Sequence, residues 1–334
     1  MRGRLKIFLG YAAGVGKTYQ MLDEGQARAK AGVDVVIGYF EPHKRIDTIA
    51  KTEGLETIAR RLIEYRGTKL EEMDVSAILA RRPQLALVDE LPHTNVPGSE
   101  HEKRWEDVIV LLNAGIDVYT TMNIQHLESL NDQVHQFTGV QVRETVPDWF
   151  MREADEVVLV DLTPGALLNR LDRGAVYATE KAAKARENFF KLPTLVALRE
   201  LALRQTAQEV DVRAHAAPEG PQEKVLAVVT ESPATAMVIR RARRVASYLM
   251  AEAFAVYVGS PSGEVDKHLS FARNLHFETR VLSGEDAAAA IVDFAHRNGI
   301  TQILINRPVG RRDLVFRLLQ LAKDFQVTVV GHSL

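Results

Sequence analysis

The run Phe8-Leu-Gly-Tyr-Ala-Ala-Gly-Val-Gly-Lys-Thr18 constrains this chain more than any other stretch. It follows an apolar, strand-like segment, Lys6–Leu9, and opens an amphipathic one, Tyr19–Lys30. A glycine-rich turn between a strand and a helix directs successive backbone N–H groups and the positive helix end at one point, which makes an anion site. Gly14 and Gly16 let the backbone curl without Cβ clashes. Lys17 is placed to neutralise β- and γ-phosphates, and the Thr18 hydroxyl to complete a magnesium shell. The loop Gly14, Val15, Gly16, Lys17 and Thr18 therefore predicts nucleotide binding, with ATP and Mg2+ as the expected cofactors. The usual spacing puts its leading glycine where Tyr11 stands, so the loop entrance departs from the common pattern.

A second feature fits the first. Leu85-Ala-Leu-Val-Asp-Glu90 is an apolar strand ending in two carboxylates. In a nucleotide-binding sheet the first acid holds the metal and the next can polarise an attacking oxygen. Thr18 and Asp89 are the expected magnesium residues, and Glu90 is the candidate catalytic base. The loop after them carries His93 and Asn95, which would contact a γ-phosphate or serve equally in an ordered turn. At the end of the strand Asp117–Thr121, the residues Thr121, Asn123, Gln125 and His126 would sense phosphate or cap the next helix. Glu41, His43 and Arg45 would reach the nucleotide or lie as surface charges. A zinc-type site from His43, His93, His101 and His126 is set aside, since none shares ligand spacing on one element.

The rest of the chain supplies a frame for that site. With 334 residues it has room for two domains. Short apolar runs alternate with helix-like stretches in both halves, predicting parallel-sheet α/β architecture. In the first half the strands are Lys6–Leu9, Val33–Tyr39, Leu85–Val88, Asp117–Thr121 and Val157–Asp161. The helices include Glu56–Glu64, Glu102–Ala114 and Ile124–Phe137. In the second half Val225–Val229, Phe254–Val258, Thr279–Leu282, Gln302–Ile305 and Gln326–Val330 read as the strands of a smaller doubly wound domain. The expected division is a nucleotide-binding domain at 1–205, a linker at 206–223 and an α/β domain at 224–334. The net charge of −2 argues against a broad basic face for nucleic acid. The absence of cysteine excludes thiolate metal sites and disulfides and fits a cytoplasmic, reducing compartment. No apolar run is long enough to insert into a membrane.

Seven segments together carry a family resemblance. Gly14-Val-Gly-Lys-Thr18, Val88-Asp-Glu-Leu91, Asn95-Val-Pro-Gly-Ser99, Lys103-Arg-Trp-Glu-Asp107, Gly115-Ile-Asp-Val118, Gln125-His-Leu-Glu-Ser-Leu-Asn131 and Arg143-Glu-Thr-Val-Pro-Asp148 resemble the N-terminal cytoplasmic region of the KdpD family. These are the potassium-responsive sensor histidine kinases of bacteria. The resemblance implies that Gly10 is the leading glycine of the phosphate loop. It also implies two-component signalling and osmosensing, with a sensor kinase, a response regulator or potassium-transporter components as partners. The second half resembles the universal-stress-protein-like domain of the same family. There Thr230-Glu-Ser232 and Ala253-Phe-Ala-Val-Tyr257 stand where some relatives bind cyclic di-AMP, and their substitutions weigh against that ligand. A docking role is the preferred reading over a small-nucleotide ligand. The family's histidine-kinase core is not in these residues, so the expectation is a regulatory module, with weak ATPase or protein-hydroxyl kinase activity as the alternative.

Overall fold

The computed structural model describes residues 1–42, 45–174, 176, 189–214, 223–249, 251–307 and 313–331. The chain divides into two compact units, Met1–Val210 and Asp211–Leu334.

Unit 1 runs β1 (Leu5–Gly10), α1 (Lys17–Lys30), β2 (Val35–Tyr39), α2 (Ile46–Ile49), β3 (Glu56–Thr57), β4 (Arg61–Tyr65), β5 (Thr68–Glu72), α3 (Val75–Arg81) and β6 (Leu85–Val88). It continues through α4 (Arg104–Asn113), β7 (Asp117–Asn123), α5 (Asn131–Thr138), α6 (Asp148–Arg152), β8 (Glu156–Leu159), α7 (Pro164–Asp172) and α8 (Leu192–Ala214). Six strands form one parallel sheet in the order β3-β2-β6-β7-β1-β8. Every residue of β1 and β6 is buried, which is why β6 reads as an unbroken apolar run and β1 is interrupted only by Lys6, whose ammonium pairs with Glu24 and Glu156. Helix α1 lies close on the sheet: a Cβ on Gly25 would come within 2.5 Å of Leu87 Cδ1. Register then positions the site. Leu5 pairs with Val118 and Gly10 with Asn123, so the end of β7 meets the start of the glycine-rich loop.

Three expectations change. Glu56–Glu64 is not a helix. Ile58 and Leu62 share helical spacing, but the segment instead gives β3 and the first strand of an antiparallel hairpin, β4–β5. Arg66 (φ 50°) and Gly67 (φ 75°) turn it; two successive positive-φ residues match the strands' twist. Ile124–Phe137 is broken as well. Leu127 takes an extended conformation (φ −73°, ψ 123°) to bury its side chain, leaving 3₁₀ turns at Ile124–His126 and Glu128–Leu130 before α5. Helix α8 reaches Ala214, so 206–214 of the expected linker are helical, and 215–222 lie outside the described residues.

Unit 2 runs β9 (Lys224–Val228), α9 (Thr235–Tyr248), β10 (Glu252–Val258), α10 (Gly263–Asn274), β11 (Glu278–Leu282), α11 (Ala287–Asn298), β12 (Gln302–Asn306), α12 (Asp313–Leu321) and β13 (Gln326–Val330). Its parallel sheet has the order β11-β10-β9-β12-β13, a doubly wound arrangement. The period of two along β9 sends Val225 and Ala227 into one core with α9 and α10. Leu226 and Val228 enter the opposite core with α11 and α12. Arg240-Arg-Ala-Arg-Arg244 does not form one basic face. Arg243 is buried, donates to the Leu275 carbonyl and packs over Phe277, while Arg240 lies over Phe271.

In unit 1 a fully buried charge, Arg104 at the start of α4, joins several elements. Its Nη2 donates to Glu72 Oε2 at 3.2 Å, its Nη1 donates to the Asp89 carbonyl at 3.2 Å, and its guanidinium stacks 3.6 Å from the Tyr39 ring centroid. Removing one partner of such a pair strands the other charge. Arg104→Ala should therefore lose about 3–5 kcal/mol of stability in urea unfolding; a loss below about 1 kcal/mol, the size of a surface pair, would contradict this role.

Candidate functional site

Between β1 and α1 the loop turns on two glycines in the left-handed region, Gly14 (φ 87°) and Gly16 (φ 111°). Gly16 is the residue before α1, and no side chain caps that helix start. An uncapped helix N-terminus leaves backbone donors directed at the loop's interior. Gly10 lies beneath: a Cβ there would sit 2.6 Å from Val15 and 2.8 Å from the Lys17 stem. Tyr11, the departure from the usual spacing, has a fully buried ring, and its hydroxyl donates to the Leu162 carbonyl at 2.7 Å. Burial pushes that phenol up to about 12, so it remains a neutral donor. The extra residue thus anchors the loop's entrance to the segment before α7.

Lys17 is the first residue of α1, and its side chain is buried. Its Nζ donates to Asn123 Oδ1 at 2.5 Å and to the Ala12 carbonyl at 3.3 Å. Burial pulls its pKa down to about 8, the Asp89 charge working against this and the Arg45 charge reinforcing it. Thr18 Oγ1 donates to Asp89 Oδ1 at 3.1 Å. Asp89, 1% exposed at the end of β6, also accepts from Thr121 Oγ1 at 2.5 Å. Burial pushes its carboxyl up, while the Thr121 and Thr18 hydroxyls pull it back. One hydroxyl and one carboxylate at this separation suit a magnesium ion that keeps waters and takes its remaining oxygens from phosphates. Among the described residues no group of three or more His, Asp or Glu forms a metal cage.

Glu90 takes a left-handed conformation (φ 55°), rare for a residue with a Cβ. Its N–H donates to Thr121 Oγ1 at 3.1 Å, and its carbonyl accepts from Arg104 Nη1 at 3.4 Å. The same Thr121 hydroxyl and the same arginine thus fix the backbone on both sides of the Asp89–Glu90 bond.

The structure brings Gly10, Gly14, Val15, Gly16, Lys17, Thr18, Asp89 and Asn123 to one place, with Glu90 adjoining. Other expected residues are engaged elsewhere. His93 Nε2 lies 2.8 Å from Glu72 Oε1, and the ring stacks with Tyr39. Asn95 donates to Asp107 Oδ2 at 2.7 Å and to the His101 carbonyl, holding the 94–103 loop closed. Gln125, in the 3₁₀ turn after β7, keeps a buried Oε1 without a partner. His126 Nδ1 lies 2.8 Å from the Glu144 carbonyl, and burial lowers its pKa. His43 lies outside the described residues.

Sequence reasoning missed Arg104, Glu72 and Arg170. Arg104 had a readable signal: with Val108 and Leu111 it falls on the buried face of α4. Arg170 Nη1 donates to the Gly14 carbonyl at 3.2 Å from across 156 residues, with no local signal. In unit 2, Thr230 Oγ1 lies 2.8 Å from Thr235 Oγ1 and 3.1 Å from Asn306 Oδ1. These groups gather at the carboxyl ends of β9 and β12, where the strand order reverses. Residues 308–312, part of the expected Asn306–Arg312 stretch, lie outside the described residues.

Comparison with known proteins adds the family. Residues 1–210 match the model of the "KdpD: Osmosensitive K+ channel His kinase sensor domain" family. The chain is 44% identical to the sensor protein KdpD of Escherichia coli (strain K12) over 99% of its own length and 39% of that protein's. It is 46% identical to the putative sensor protein KdpD of Synechocystis sp., covering 91% of this chain and 85% of that one. The KdpD of Clostridium acetobutylicum is 43% identical, with 40% of its length covered. The chain thus spans about 40% of the length of the E. coli and Clostridium relatives. A solved universal stress protein in complex with cAMP matches at 15% identity and a TM-score of 0.30, covering 34% of this chain and all of that one. Among the described residues no helix is long and apolar enough to cross a membrane. The chain belongs to the KdpD family, and its first 210 residues are the sensor domain of that family.

Proposed function

We propose that unit 1 binds ATP with Mg2+ and that its nucleotide state regulates a kinase or transporter partner in a KdpD-type two-component system for potassium homeostasis. The observation that carries this reading is the buried Lys17 ammonium beneath the glycine loop, next to the Thr18–Asp89 pair. A buried cation with two acceptors, facing an uncapped helix start, is short of negative charge that phosphates would provide. Lys17 would hold the β- and γ-phosphates, displacing Asn123 or sharing it. Thr18 and Asp89 would hold the magnesium, which supplies charge neutralisation at the phosphate oxygens. The partners supported by the family are a sensor kinase, a response regulator or potassium-transporter components. For unit 2 the reading is a docking domain, the alternative being a small-nucleotide ligand near Thr230 and Asn306.

A second reading has its own support. The strained Glu90 backbone holds a carboxylate beside Asp89, the position of a base in phosphoryl transfer. On this reading the unit hydrolyses ATP slowly or passes phosphate to a protein hydroxyl.

Two outcomes are expected. In equilibrium titration, Lys17→Ala should weaken ATP–Mg2+ binding at least about tenfold relative to the natural chain, the size of a lost charge-assisted hydrogen bond; equal affinities would contradict the reading. Incubation with radiolabelled ATP separates the alternatives. If Glu90 is a base, Glu90→Gln should cut released or transferred phosphate about 10²- to 10⁴-fold with ATP affinity retained; release no greater than from Lys17→Ala would leave binding alone.

A further inference from the structure

Arg45 stands just before α2, on the stretch leaving the carboxyl end of β2. In the sheet, β2 neighbours β6, the strand that delivers Asp89 and Glu90. Arg45 therefore approaches the phosphate loop from the side of the two carboxylates. Its Nη2 makes a long, 3.5 Å contact with the Val176 carbonyl. Val176 in turn covers the loop: its methyl groups would lie 2.5 and 2.8 Å from a Cβ on Gly14. The Arg45 Nε–H is buried and has no acceptor. A buried guanidinium donor without an acceptor is costly, and no ion pair is formed by Arg45 among the described residues. Arg45 is also near enough to Lys17 for its charge to disfavour that ammonium. Two like charges converge on one space, each short of negative counter-charge, and a phosphate group would complete both.

Other arginines of unit 1 differ. Arg81 is held by Asp34 and Glu56 at the opposite end of the strands, and Arg82 is the left-handed cap of α3. Arg170 reaches the loop from α7 and is engaged by the Gly14 carbonyl. Arg104, also on the Asp89 side, likewise keeps a buried Nε–H without an acceptor, but its other nitrogens are held by Glu72 and the Asp89 carbonyl. Arg45 has its buried donor and no ion pair among the described residues.

We propose that Arg45 binds the terminal phosphate of the nucleotide and so makes unit 1 distinguish a nucleoside triphosphate from a diphosphate. This inference rests on the nucleotide reading and deepens it by naming the residue that senses the third phosphate. The Val176 contact gives that residue a link to the side chain covering Gly14. Because the group is a planar fork, lysine would supply the charge without the paired geometry.

The test is a set of titrations of the full chain with ATP–Mg2+ and with ADP–Mg2+. Arg45→Ala should lose about 10- to 100-fold in ATP affinity while its ADP affinity stays within about twofold. Arg45→Lys should recover part of the ATP affinity. A thermal melt of each variant without nucleotide should match that of the natural chain, separating lost recognition from lost folding. If Arg45→Ala leaves the ratio of ATP to ADP affinity unchanged, the inference is overturned and the nucleotide reading stands. If the natural chain binds neither nucleotide, the nucleotide reading fails and this inference fails with it.

Discussion

The buried ammonium of Lys17 is the constraint around which unit 1 is organised. Taking a cation out of water is costly unless acceptors and opposite charges replace the lost hydration. The fold supplies them only in part, from three places. Ala12 offers a carbonyl from the loop, Asn123 an amide oxygen from the end of β7, and Asp89 a carboxylate from the end of β6. This works only because β7 lies between β1 and β6 in the sheet. With β1 directly beside β6 there would be no interposed strand to carry Thr121 and Asn123. Strand order is thus part of the site's chemistry.

The carboxylate side is fixed as firmly as the lysine side. Thr121 donates to Asp89 and accepts from the Glu90 N–H, so one hydroxyl sets both the side chain and the turn. Arg104 holds the two carbonyls of that turn from below and is itself held by Glu72 and the Tyr39 ring. A positive-φ glutamate persists where its surroundings over-determine it. The hairpin β4–β5, which supplies Glu72, is therefore structurally joined to the acidic turn despite its distance in sequence. His93 and Asn95 serve the same framework: each pairs with a carboxylate that closes the 94–103 loop over α4.

How much of this was legible in the sequence depended on the range of the interaction. The strands of both sheets stood out because burial on both faces leaves uninterrupted apolar runs, as in Leu85–Val88. The glycine loop and Asp89 were legible because backbone conformation and residue type announce them locally. Asn123 was legible only as one of several polar groups at a strand end; the pairing of Gly10 with Asn123 singles it out. Glu56–Glu64 was misread as helix since Ile58 and Leu62 mimic helical spacing, and the Arg66–Gly67 turn of the β4–β5 hairpin decided otherwise. Arg104, Glu72 and Arg170 act across the tertiary structure, and no spacing rule marks partners 32 or 156 residues apart. In unit 2 the alternation along β9 foretold two cores, whereas the arginine run hid a buried member, Arg243.

The proposal that the buried Lys17 cation receives phosphate has a direct thermodynamic signature. Burial lowers its pKa to about 8, and a bound phosphate should raise it again toward the ordinary lysine value. Between those two values the nucleotide complex holds more protons than the free chain, so binding takes up a proton and weakens as pH rises above about 8. Calorimetry of ATP–Mg2+ binding at about pH 8.5, in two buffers of different ionisation enthalpy, measures that proton. The account predicts uptake of roughly half to one proton at that pH, little at pH 7, and none at either pH in Lys17→Ala. Binding with the same heat in both buffers at pH 8.5 would contradict it.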